Sequence, residues 1–262
     1  MEEQGNMPFL NHLEELRWRL VRAAVAILIV GSVIWFYQER IIDVVFLSMA
    51  KKDFITFRLM CQTFGVCIND IPIKFQSMTV SGQFSYALML SFLGGIVVTF
   101  PYLFYQIWAF VKPGLKFKEK NLARGIVFYV SLLFFIGILF GYYVVAPLSI
   151  QFFGTYQMSN KIENIFTINS YMSTILSTVF YCGLFFLLPV ATFLLTKIGL
   201  FDSAFLRKYR KHAIVVILIL AAIITPPDVI SQIIVSIPIL ILYEIGIVVS
   251  KRVEKQKSKE DW

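Results

Sequence analysis

The sequence predicts an all-α integral membrane protein: six transmembrane helices, the fifth and sixth short, an amphipathic helix at the N-terminus, and both termini cytoplasmic. Three observations carry that expectation. Hydrophobic residues make up 58% of the 262-residue chain and charged residues only 15%, where a soluble domain carries about 25% charge. Long apolar runs recur along the chain, separated by short polar segments. The basic residues gather in alternate segments, as the positive-inside rule requires.

The elements follow in order within a single membrane domain, residues 1–262. In 8–19, PFLNHLEELRWR, Phe9, Leu13 and Leu16 recur at helical spacing, with Leu20 just beyond, while Asn11, His12, Glu15 and Arg19 occupy the other face. That pattern predicts an interfacial helix. It runs into the first span, 20–36, where Arg22 can snorkel back to the headgroups. Residues 38–82 are mixed and hold no span. The second span, 84–111, contains Gly94, Gly95 and Pro101, which membrane helices tolerate. Tyr102, Tyr105 and Trp108 near its end read as an interfacial aromatic belt. A basic loop, 112–124, precedes the third span, 125–146, which Pro147 is expected to close. The fourth span, 171–195, is expected to kink at Pro189. The fifth, 213–224, reaches only about 18–20 Å against a hydrocarbon core of about 30 Å. The sixth, 229–250, is interrupted by Ser231, Gln232, Ser236, Pro238 and Glu244, and the charged tail 251–262 is expected to fray. The hairpin of these last two spans should thin the bilayer locally.

Orientation follows from counting. With the N-terminus inside, the inner segments hold eighteen Lys and Arg and the outer ones six, so both ends are expected in the cytoplasm. The first ten residues lack the basic region and cleavage site of a cleavable leader, so the first span is expected to act as its own insertion signal. The net charge of +8 is accounted for by this asymmetry, without a nucleic-acid partner. Cys182 lies in an apolar run. Cys61 and Cys67 could form a small disulfide loop if their segment meets an oxidising compartment, or could be two unpaired thiols.

No catalytic constellation is present: no HExxH, GxSxG or phosphate-cradling loop. The two histidines, His12 and His212, have no metal-ligand partner at helical spacing. An enzyme, a metal site and a cofactor are therefore not expected. The carboxylates at the cytoplasmic edge are more informative. On pattern alone Glu15 reads as the i,i+4 partner of Arg19, and Glu119 as the partner of a neighbouring lysine.

Three segments alter that reading. HLEELRWRL (12–20), FPYLFYQIWAFVKPGLKFKEK (100–120) and TPPDVISQ (225–232) resemble, in the same order, signatures of the TatC family, the receptor subunit of the twin-arginine protein translocase. The resemblance implies a six-helix cupped bundle in the cell inner membrane. It implies binding of twin-arginine signal peptides of folded precursors, TatA/TatB-type single-span partners, proton-motive-force-driven export, and a homo-oligomer in the receptor complex. By motif position, Glu15 and Glu119 match the signal-peptide-contacting glutamates, Phe110 a further recognition residue, and Leu16 and Arg17 the same N-terminal signature. Pro226, Pro227, Asp228 and Gln232 match the region where partner contacts are expected. Leu187 is a departure, standing where the family often has a Glu or Gln. The implied chemistry is coherent: a guanidinium is a planar fork that carboxylate oxygens can accept together, whereas lysine is a point charge. Two carboxylates on separate elements could thus read two adjacent arginines. A secondary transporter is the alternative function, although it usually buries midplane charges and shows paired repeats; a purely structural assembly subunit is a third.

Overall fold

The computed structural model describes residues 9–65, 67, 74–111, 123–157, 159, 165–197, 199–224 and 229–260. These are almost entirely helical: α1 (Phe9–Phe36), α2 (Gln38–Ile41), α3 (Ile55–Phe64), α4 (Gly82–Val111), α5 (Ala123–Phe140), α6 (Ala146–Thr155), α7 (Ile168–Phe185), α8 (Leu188–Lys197), α9 (Ser203–Lys208), α10 (Arg210–Ile224) and α11 (Val229–Glu260). Two three-residue strands, β1 (Lys74–Gln76) and β2 (Ile165–Thr167), pair in parallel with Phe75 opposite Phe166. Among the described residues five helical stretches are long and apolar enough to cross a membrane: Leu13–Phe36, Gly82–Phe110, Gly125–Thr155, Ile168–Lys197 and Gln232–Lys255. α10 is equally apolar but its 15 residues reach only about 22 Å.

The chain forms two compact units, one of residues 1–38 and 87–132, the other of 39–86 and 133–262. In the first, α1 and α4 run antiparallel at backbone contact. A Cβ on Gly95 would stand 3.0 Å from the Ile27 carbonyl oxygen, and one on Gly31 3.0 Å from that of Ser91. Glycine removes the side chain that would hold the helices apart, the usual device where lipid supplies no hydrophobic drive to associate. Hydroxyls within the spans return to their own helix, Ser91 to the Ala87 carbonyl at 2.8 Å and Thr99 to that of Gly95 at 2.7 Å. Both hydroxyls are thereby satisfied within their own helix.

The second unit packs α7, α10 and α11 around Val145, Cys182, Ile217, Ala221, Val235 and Ile239, all buried. α5 and α7 meet closely there, since a Cβ on Gly137 would fall 2.6 Å from the Cys182 carbonyl. Residues 42–50 dock against this unit through aromatic hydroxyls. Tyr142 donates to the Val45 carbonyl at 2.8 Å, and Tyr171 to that of Phe46 at 2.6 Å.

Four expectations change. The sixth helix is not short, because α11 has 32 residues and its stretch Gln232–Lys255 is long and apolar enough to cross a membrane. Pro147 does not end the third span, because a π-helical turn, Gly141–Val145, carries the helix from α5 into α6. Pro147 has no N–H for the Tyr143 carbonyl four residues earlier, and the Thr56 hydroxyl donates to that carbonyl instead. The charged tail is not frayed through residue 260: α11 continues to Glu260, with Val253 buried and Glu254 bonded to Ser203. Trp108 is not a belt residue. It is 5% exposed and stacks on Phe104 at 6.3 Å, while Tyr102 and Tyr105 are exposed. Near Pro189 the helix does break, at Phe186–Leu187, since proline has no N–H for the Phe185 carbonyl four residues earlier and its ring crowds that carbonyl. Leu187 sits in that break, and its carbonyl accepts from the Val190 and Ala191 N–H groups at 2.9 and 3.0 Å.

Candidate functional site

The N-terminal signature forms the first turns of α1, and 9–36 is one unbroken helix. Glu15 is half-buried, and both Nε (3.0 Å) and Nη2 of Arg19 donate to its Oε1. This is the i,i+4 pair expected from pattern, and Oε2 accepts nothing among the described residues. Leu16 and Arg17 are exposed on the same turn, with the Arg17 guanidinium 5.9 Å from the Trp18 ring.

Phe110 lies half-buried in the last turn of α4. The antiparallel register relates it to Glu15. Ile27 faces Gly95, and Glu15 lies twelve residues back along α1, about 18 Å. The same distance along α4 arrives near Ile107, one turn before Phe110. Glu15 and Phe110 therefore occupy the same end of this unit, on two helices whose separation is fixed by glycine contacts. Behind them Phe100, Phe104 and Trp108 stack at i,i+4 spacing, 6.3 Å between successive rings. Gln106, 5% exposed, donates to the Tyr102 hydroxyl at 2.6 Å. Its Oε1 and the Trp108 Nε1 are buried without a partner. Glu119 lies in 112–122, outside the described residues, as do Pro226, Pro227 and Asp228. Gln232 is on the first turn of α11 and donates to the Leu218 carbonyl of α10 at 3.1 Å, tying the C-terminal hairpin.

Sequence reasoning missed the polar contacts of α11 with its neighbours. Arg210 of α10 pairs with Glu244. Thr196 donates to the Ser250 hydroxyl at 2.9 Å. Both Glu254 oxygens take the Ser203 backbone N–H and hydroxyl, the latter at 2.6 Å. Each joins residues 34 to 54 positions apart, and no local spacing announces such a pair. The one available signal was Glu244 in an apolar stretch and Glu254 set among the basic residues Lys251, Arg252, Lys255 and Lys257. The structure also pairs Cys61 with Cys67 as a disulfide, the alternative that spacing left open. Among the described residues no three His, Cys, Asp or Glu gather as for a metal.

The features define an all-α integral membrane protein whose candidate site lies at helix ends, with polar side chains in the spans mostly spent on the fold. Comparison with known proteins gives the family. A profile described as "Sec-independent protein translocase protein (TatC)" matches residues 11–238. The TatC protein of Blattabacterium sp. subsp. Periplaneta americana is 38% identical over 97% of this chain and 99% of its own. TatCy of Bacillus subtilis is 33% identical over 97% and 93%. A crystal structure titled as the twin-arginine translocase receptor TatC superposes with a TM-score of 0.70 at 26% identity, covering 93% of this chain and 99% of that one. The chain belongs to the TatC family and is a membrane component of a Sec-independent protein translocase.

Proposed function

We propose that the protein is the receptor subunit of this translocase, binding signal peptides with two adjacent arginines at the cytoplasmic face rather than catalysing a reaction. It would organise TatA/TatB-type single-span partners for export driven by the proton-motive force, as a homo-oligomer in the cell inner membrane. The proposed topology is six spans with both termini inside, α10 being the short fifth. The charge asymmetry supports this orientation, and so does the Cys61–Cys67 disulfide, which belongs in an oxidising compartment. Pro226, Pro227, Asp228 and Gln232 are proposed as partner contacts.

One observation carries the reading. Glu15 stands at the same end of the α1–α4 pair as Phe110 and already holds a guanidinium through one oxygen, with the other turned to no described group. A carboxylate so placed can take a second guanidinium without giving up the first, and Glu119 on its own segment would take the neighbouring arginine. Phe110, Leu16 and Arg17 would border the peptide. Family membership leaves the solute-transporter reading without an observation in its favour.

The test is binding of a fluorescent leader peptide to the purified protein. A charged hydrogen bond contributes about 1.5–3 kcal/mol, so Glu15→Gln or Glu119→Gln should weaken binding by about 10- to 150-fold. Glu14→Ala, whose side chain is exposed beside the site, should change little. A peptide with two lysines in place of the arginines should bind at least tenfold more weakly. Equal affinity for the two peptides, or no effect of either glutamine substitution, rules the mechanism out.

A further inference from the structure

In the second unit, α3 lies against the π-helical turn in a way its own residues explain. Phe54 and Phe57 are buried, and the Phe54 ring centroid stands 5.8 and 6.0 Å from those of Tyr142 and Tyr143. The Thr56 hydroxyl caps the Tyr143 carbonyl. Gly65, with φ of 69°, ends the helix, and the disulfide closes the turn beyond it. Pinned on one side, α3 turns Ile55 and Leu59 outward, each more than half exposed. With Met60, Thr63, Tyr143 and Val144 they line a groove of about 360 Å³ whose walls are almost wholly apolar.

Depth and charge say what fills it. Tyr143 lies eighteen residues beyond Gly125, where the third apolar stretch begins, or about 27 Å along the helix. In a hydrocarbon core of about 30 Å the groove therefore opens at the boundary between acyl chains and headgroups. Lys51 and Arg58 are exposed within residues 51–65, which carry α3 and hold the single acid Asp53, and the Arg58 guanidinium donates to the Asp53 carbonyl at 3.2 Å. The walls offer a peptide backbone almost no hydrogen-bond partners, and unsatisfied N–H and C=O groups are not tolerated at this depth. An acyl chain needs none.

We propose that this groove is a binding site for an anionic phospholipid, one acyl chain lying between α3 and Tyr143–Val144 and the phosphate held between Lys51 and Arg58. The amphipathic α3 is then an interfacial helix that reads the headgroup of the leaflet in which it lies.

The experiment uses the full chain, disulfide intact, in nanodiscs of mixed phosphatidylglycerol and phosphatidylcholine, with a diazirine-bearing leucine analogue at position 59. Mass spectrometry after irradiation reads what was captured. The expected adduct is one phospholipid, enriched in phosphatidylglycerol at least fivefold over its share, as about one fivefold step per engaged basic residue implies. Lys51→Gln with Arg58→Gln should bring that enrichment near one. Met60→Trp, which fills the groove, should lower capture of both lipids at least fivefold. Capture of a second copy of the chain, no enrichment in the unsubstituted protein, or enrichment that survives the Lys51/Arg58 pair would overturn the proposal. Should Met60→Trp not fold, the charge pair still decides, because both side chains are exposed and the Arg58 bond to the Asp53 carbonyl is a surface contact.

Discussion

Gly137 offers a way to measure how closely the spans of the second unit must approach. Its Cβ, were there one, would lie 2.6 Å from the Cys182 carbonyl oxygen, 2.8 Å from the Phe186 Cβ and 2.9 Å from the Gly183 Cα. Ordinary contact begins near 3.4 Å, so Gly137→Ala requires α5 and α7 to separate by about 0.8 Å. Two of the three obstacles are backbone, so no rotamer change relieves them. Separation of that size forfeits a quarter to a half of each contact's dispersion energy along the seam, and overpacking of this kind costs about 1–3 kcal/mol. Against it stands the helix propensity gained by replacing glycine with alanine, about 1 kcal/mol. The net expectation is a loss of about 1 kcal/mol for Gly137→Ala and more than 2 kcal/mol for Gly137→Leu, which adds volume without further propensity. Gly125→Ala is the internal control. Among the described residues its Cβ would meet the Tyr129 ring, at 3.3 Å, and a ring can turn, so the propensity term should leave it neutral or stabilised. Unfolding of the purified protein in mixed micelles by increasing SDS fraction reads all three. If Gly137→Ala is as stable as Gly125→Ala, the seam is not held at the distance described and the reasoning fails.

Other expectations come from the polar contacts. Thr56→Val should cost about 1–3 kcal/mol in the same titration by removing the donor to the Tyr143 carbonyl. Pro147→Ala, which restores an N–H four residues on, should reduce that penalty, so a double-mutant cycle with no coupling would refute the capping role. Glu254→Gln weakens both bonds to Ser203, and should speed amide exchange in α9 and expose the 199–202 segment to protease while leaving α4 exchange unchanged. Arg210→Gln leaves Glu244 without its cation; with both side chains about half exposed the loss should stay within about 1 kcal/mol, and adding Glu244→Gln should recover it, so a double variant worse than the single would show the pair is not the reason.

Much of this protein is written in local sequence. Apolar runs long enough to cross a bilayer must be helical there, because hydrocarbon offers no partner to a backbone N–H. The five long stretches follow from composition alone, and so does the shortness of α10. The Glu15–Arg19 pair was legible because i,i+4 spacing is local geometry. The helix break before Pro189 was legible for the same reason, since a proline's missing N–H acts four residues back. Tertiary structure decided whatever depends on a second segment. Pro147 ends no helix because Thr56, 91 positions away in the chain, serves the carbonyl that proline leaves unserved. Trp108 is core because aromatic rings cover it, although its position near a helix end suggested the interface. Glu244 and Glu254 are structural because Arg210 and Ser203 come to meet them. The physical division is between the solvent's demand on each backbone group, which every stretch of sequence must answer by itself, and the partners of side chains, which only the folded chain brings within reach.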